Sequence, residues 1–160
     1  MRKTLTAILV ACMFVLVSML SISAVEAKGH RSVGNAEGTL TWTVVNFEGT
    51  RKAGINTFYT GTSEITANGT FNGTMKDAWV EVWHNRTLNL RDWAMFNGTV
   101  NGKSGNLTIR LVGTATLPDL VWKGHWVITS GTDDLANLVG HGSWWGTGND
   151  VKYSGFIGFA

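Results

Sequence analysis

Eight tryptophans, Trp42, Trp79, Trp83, Trp93, Trp122, Trp126, Trp144 and Trp145, are the residues of this sequence with the plainest chemical use. An indole offers a broad flat face to apolar groups or sugar rings and a single N–H donor. Two readings follow. Some of these rings line a cavity for a small apolar or carbohydrate ligand, or they fill the interior and ends of a β-structure as core. On the ligand reading the candidate residues are Trp42, Trp122, Trp126 and Trp144, with His125 and His141 on the same aromatic stretches.

Histidine is the other chemistry-bearing type. His84, His125 and His141, together with Glu81 and Asp133, could compose an acid–base pair or a metal site. No H-x-x-x-H or H-E-x-x-H spacing occurs, so no metal site is assigned. There is also no G-x-S-x-G nucleophile elbow, phosphate loop or calcium loop. No catalytic residue and no cofactor are expected, and an isolated histidine is by default exposed or satisfied by a neighbour.

Five N-x-[ST] sequons begin at Asn68, Asn72, Asn85, Asn97 and Asn106. Glycosylation there would require all five asparagines to face solvent. Asn106 shares a polar strand face with Thr108 and Arg110, whereas the face of Asn97 also carries Trp93 and Met95.

The compartment follows from the first residues. Arg2 and Lys3 precede an apolar run, Leu5 to Leu20, and Val25-Glu26-Ala27 supplies small residues at a cleavage position. This is the pattern of a secretory signal removed after Ala27. An uncleaved membrane anchor is the rival reading, since a spanning helix needs roughly 18 or more apolar residues. A lipid-attachment box at Cys12 is disfavoured because Met13 to Leu20 is still apolar. Cys12 is the sole cysteine, so the mature chain would have no disulfide. Loss of Arg2, Lys3 and Glu26 leaves that chain close to neutral, without a basic stripe for nucleic acid.

The positioning elements are strands. The run Glu37 to Phe47 is read as strictly alternating, with Leu40, Trp42 and Val44 on one side and Thr39, Thr41 and Thr43 on the other, and Leu107, Ile109 and Leu111 alternate with Asn106, Thr108 and Arg110. A slip of one residue would put Arg110 in the core. Asn72-Gly73 and Asn101-Gly102 are expected as tight hairpin turns, and Pro118 as part of a further turn. Asp133 to Leu138 is the one stretch suited to a helical turn, with Thr132 as its cap. Trp144 and Trp145 must point to opposite faces. Residues 28–36 read as a flexible segment, and residues 37–160 as a single all-β domain of about eight short antiparallel strands. A closed barrel is expected, because it hides the strand edges. A two-sheet sandwich is the alternative.

Residues 96–114, F-N-G-T-V-N-G-K-S-G-N-L-T-I-R-L-V-G-T, and 124–142, G-H-W-V-I-T-S-G-T-D-D-L-A-N-L-V-G-H-G, resemble the bacterial and archaeal domain of unknown function 3224 family. The resemblance extends from about Thr57 onward and implies an eight-stranded barrel akin to allene oxide cyclase and dirigent barrels. Asp133 stands where the family usually has a glycine, so a different turn is expected there. The resemblance carries over no catalytic residue. The resulting expectation is a secreted, non-enzymatic barrel binding a small apolar or carbohydrate ligand. An isomerase or cyclase using His125 or His141, and a surface structural glycoprotein, are the alternatives. No nucleic-acid partner is expected, membrane contact only through an uncleaved leader, and self-association is left open.

Overall fold

The computed structural model describes residues 33–160. The leader, its cleavage position and Cys12 lie outside the described residues. The described chain forms eight antiparallel strands: β1 (Val33–Ala53), β2 (Asn56–Gly69), β3 (Phe71–His84), β4 (Thr87–Val100), β5 (Lys103–Thr116), β6 (Val121–Gly131), β7 (Leu138–Thr147) and β8 (Asp150–Phe159). Each strand pairs with its neighbours in sequence, and β1 closes on β8 through pairs such as Leu40 with Val151. The barrel expectation is borne out and the sandwich is not formed.

The strands number eight, but they are not short. β1 runs to 21 residues and β2 to β5 to 14 each, against a usual strand of about 5–6. β1 already pairs with β8 at Val33, so residues 33–36, read above as flexible, belong to the wall.

Turn chemistry explains one success and one misplacement. Asn101 and Gly102 take φ of 50° and 80° between β4 and β5, the left-handed pair a tight hairpin requires. Asn72-Gly73 instead lies inside β3, where Gly73 faces Gly98 across the ladder. The turn before it is at Gly69, whose φ of 114° only glycine adopts readily.

Two register shifts in β1, between Trp42 and Val44 and between Phe47 and Gly49, also correct the sequence reading. An extra residue in a bulge reverses the inside–outside alternation beyond it. Leu40 and Trp42 therefore face inward, whereas Val44 is 42% exposed on the outer wall.

The interior is filled by alternate residues of every strand. On β4 the inward series Leu88, Leu90, Asp92, Ala94, Phe96 is buried without interruption. At one end of the barrel Phe71 meets Phe96, Trp126 and Tyr153, with ring centroids 5.9, 5.5 and 5.2 Å apart. A short 3-10 helix, Asp133–Leu135, folds back over this end and inserts Leu135, which is fully buried. Each such buried apolar side chain contributes roughly 1.5–3 kcal/mol.

The helical turn is thus formed over Asp133–Leu135 only, since Leu138 already opens β7, and Thr132 makes no side-chain cap bond. Its hydroxyl accepts from the Asn106 backbone N–H at 3.2 Å and donates to Asp133 Oδ2 at 2.8 Å. Asp133 itself takes φ of 55°, the left-handed conformation suited to a glycine. The local Thr132 bond accompanies a conformation Asp tolerates better than most side chains.

Candidate functional site

The opposite end of the barrel is a mouth. Two tryptophans of its wall are set by backbone shape. Gly113 of β5 and Gly124 of β6 face each other, and a Cβ on either would overlap the Trp144 ring. The paired glycines let that indole lie against bare backbone, where its Nε1–H donates to the His125 carbonyl at 3.2 Å. Trp122 packs beside it, centroids 5.6 Å apart, and donates to the Gly148 carbonyl at 3.0 Å. Trp42 lies 6.3 Å from Trp144, its bulged backbone N–H donating to the Asn149 carbonyl at 3.0 Å.

The other wall comes from β1, β2 and β3. Phe47 stands edge-on to Trp79 at 5.2 Å, and Tyr59 packs on Trp83 at the same distance. Trp83 Nε1–H donates to Glu81 Oε2 at 2.7 Å. Leu117, Pro118 and Leu120 of the β5–β6 turn form a lip. Together these groups enclose a cavity of about 400 Å³.

Its floor is acidic. Ser63 Oγ–H donates to Asp77 Oδ1 at 2.5 Å, the two residues being directly opposed on β2 and β3. Asp92, on β4 and 1% exposed, has no hydrogen-bond partner on either oxygen, and Asp77 Oδ2 has none. Burial first, and then the neighbouring Asp77 carboxyl, push the Asp92 carboxyl well above its ordinary value. Glu81 is also raised by burial, partly offset by the bond from Trp83. These effects favour the protonated form of Asp92.

The residues singled out in the sequence divide among three places. Trp42, Trp122 and Trp144 line the mouth. Trp126 is at the closed end, 4% exposed, its indole donating to the Ser154 carbonyl at 3.2 Å. His125 and His141 are on the outer wall. His125 Nδ1 is 3.4 Å from Ser143 Oγ, and the His141 ring is 6.5 Å from that of Phe156.

Neither of these two histidines lines the mouth with Glu81, and Asp133 belongs to the closed end. His84 pairs with Asn56 Oδ1 at 3.1 Å at the end of β3. Among the described residues no cluster of three or more His, Cys, Asp or Glu could hold a metal. Trp145 is 44% exposed while Trp144 is buried, as strand alternation requires.

His125 and Trp145 border a second concavity, a groove of about 1040 Å³ on the outer wall, with Val80, Val82, Arg91, Arg110 and Lys123. All five sequon asparagines are exposed on the outer surface. Asn97 Nδ2 donates to Asn106 Oδ1 at 2.7 Å.

Asp77 and Asp92 escaped the sequence reading. The signal was present: each sits on the apolar face of its strand, between Met75 and Trp79 and between Leu90 and Ala94. A charge at an inward position breaks the apolar pattern, and the flanking alternation fixes both side chains as inward.

No protein-family model and no curated protein matches the chain. A solved structure does: a protein of unknown function from the domain of unknown function 3224 family of Shewanella oneidensis MR-1. The TM-score is 0.64 at 12% identity, over 82% of this chain and 98% of that one. The two share a fold. At this identity the likeness reaches the barrel alone, and it bears out the family resemblance read from residues 96–142 at that level.

Proposed function

We propose that this protein binds a small organic ligand with an apolar body or a sugar ring in the mouth of its barrel. The observation that carries this reading is the cavity of about 400 Å³ walled by Trp42, Trp79, Trp83, Trp122 and Trp144. Pockets that capture small molecules are concave and largely apolar, with a few convergent polar groups, and about 300–1,000 Å³ in volume. Secretion, and glycosylation at the five exposed sequons, belong to the same proposal; a role as a surface glycoprotein would use those asparagines alone. The test is titration of the purified protein with hydrophobic and sugar libraries, following tryptophan fluorescence, with native mass spectrometry for a co-purifying molecule. Saturable quenching or a retained ligand supports the reading. A flat response to both libraries and a bare mass overturn it.

The second reading is an isomerase or cyclase, in keeping with a kinship to allene oxide cyclase barrels. Asp92 favours it: a buried carboxyl held protonated at a cavity floor is placed to act as a general acid. The outward histidines have no part in this version. Release of a rearranged product from a bound compound, and its loss in Asp92→Asn, would separate catalysis from binding.

A further inference from the structure

We infer that the ligand of the mouth carries a protonated amine, seated on the Asp92 floor, with its apolar body against the indoles. The inference rests on the binding reading above and adds the chemical class. Charge comes first. The residues lining the cavity include the carboxyls of Glu81 and Asp92 and not one lysine, arginine or histidine. An anionic ligand finds no cation to pair with there, whereas an ammonium favours the ionised form of both carboxyls and so releases the proton that burial keeps on Asp92.

Hydrogen bonding narrows the class further. Three carboxyl oxygens, both of Asp92 at the floor and the Oδ2 of Asp77 beside it, are buried without partners. Buried acceptors in native proteins are nearly always satisfied, and exceptions mark a group awaiting a ligand, ion or water. An ammonium brings three N–H donors to one point. Four of the donors around the cavity are, by contrast, already committed. Ser63 donates to Asp77, Trp83 to Glu81, Trp122 to the Gly148 carbonyl and Trp144 to the His125 carbonyl. A ligand presenting donors finds acceptors, and a cation also gains from the faces of the surrounding indoles.

The experiment compares phenethylamine, 2-phenylethanol and 3-phenylpropionate on the whole protein by tryptophan fluorescence. All three share a phenyl body and differ in the charge of the end group. The amine is expected to bind about tenfold more tightly than the alcohol, and the carboxylate not to bind. Asp92→Asn should bring the amine to the level of the alcohol. Glu81→Gln, at the rim, should weaken the amine by a smaller factor. Both variants are checked for native circular dichroism, and the wild-type comparison stands without them.

Equal affinity of amine and alcohol overturns the inference and leaves the binding reading intact. So does an amine preference unchanged in folded Asp92→Asn. Silence from all three at millimolar concentration overturns the amine class, while the binding reading falls only if the wider libraries are silent as well.

Discussion

The two ends of the barrel use the same kind of side chain for opposite ends. At the closed end Trp126, Phe71, Phe96 and Tyr153 pack in one core with Leu135, and only about 10 Å³ is free where Phe71, Trp126 and Tyr153 meet Leu40, Met75, Ile109 and Leu111. At the mouth five tryptophans surround about 400 Å³. In both, an indole rests on a pair of facing glycines: Gly142 and Gly155 beneath Trp126, Gly113 and Gly124 beneath Trp144. The seat is therefore common to both, and what lies beyond it differs. The closed end has a plug, and the Tyr153 hydroxyl is satisfied by the Phe71 N–H at 2.9 Å. Beyond the seat of Trp144 come both oxygens of Asp92 and the Oδ2 of Asp77, which nothing in the protein satisfies. An aromatic ring becomes a site when its cavity is left unfilled and the polar groups behind it unmatched.

The contrast can be broken by substitution. Trp126→Ala should destabilise the protein by about 3–5 kcal/mol, the range for truncating a buried aromatic. Trp122→Ala, at the half-buried mouth, should cost about 1–2 kcal/mol while abolishing ligand-induced fluorescence change. Urea denaturation of the two variants measures the difference. Equal costs would mean the mouth is as much core as the closed end.

Asp92→Asn should act in the other direction. Removing a desolvated carboxyl from the side of another is expected to stabilise the fold by an amount on the order of 1–3 kcal/mol at neutral pH. The same group gives a pH dependence. Its folded value is raised, so the folded protein holds a proton that the unfolded chain releases first. Stability should thus be fullest in acid, below the unfolded carboxyl's ordinary value, and fall as pH rises from there through the raised folded value. Glu81 adds in the same sense. The melting temperature, followed across that window, should decline less steeply in Asp92→Asn than in the wild type. The smallest effect belongs to the outer wall: His125→Ala and His141→Ala should each stay within about 0.5 kcal/mol of wild type and leave mouth binding unaltered.

How far the sequence disclosed all this varies with the kind of signal. Strand period is local, so Leu107, Ile109 and Leu111 could be assigned inward and Arg110 outward before any coordinates. Turn position depends on which of several glycines takes positive φ. Asn72-Gly73 looked as good as Asn101-Gly102 and lost to Gly69 because Gly73 is needed opposite Gly98. Bulges are invisible to a period-two count, which is why Val44 was put inside. Of the site, Trp42, Trp122 and Trp144 were legible as aromatic positions, but not which end of the barrel each would occupy. That separation from Trp126 depends on strand register around the whole barrel, to which no short stretch of sequence corresponds. Asp77 and Asp92 were legible in principle, as charges on apolar faces.

The most direct measurement is the indole N–H spectrum of the ¹⁵N-labelled protein, with signals assigned by single Trp→Phe variants, during titration with phenethylamine. The signals of Trp42, Trp79, Trp122 and Trp144 should shift together and saturate, while those of Trp93 and Trp145 on the outer wall and Trp126 at the closed end stay still. Shifts confined to Trp93 and Trp145, or to Trp126, would contradict a ligand site in the mouth.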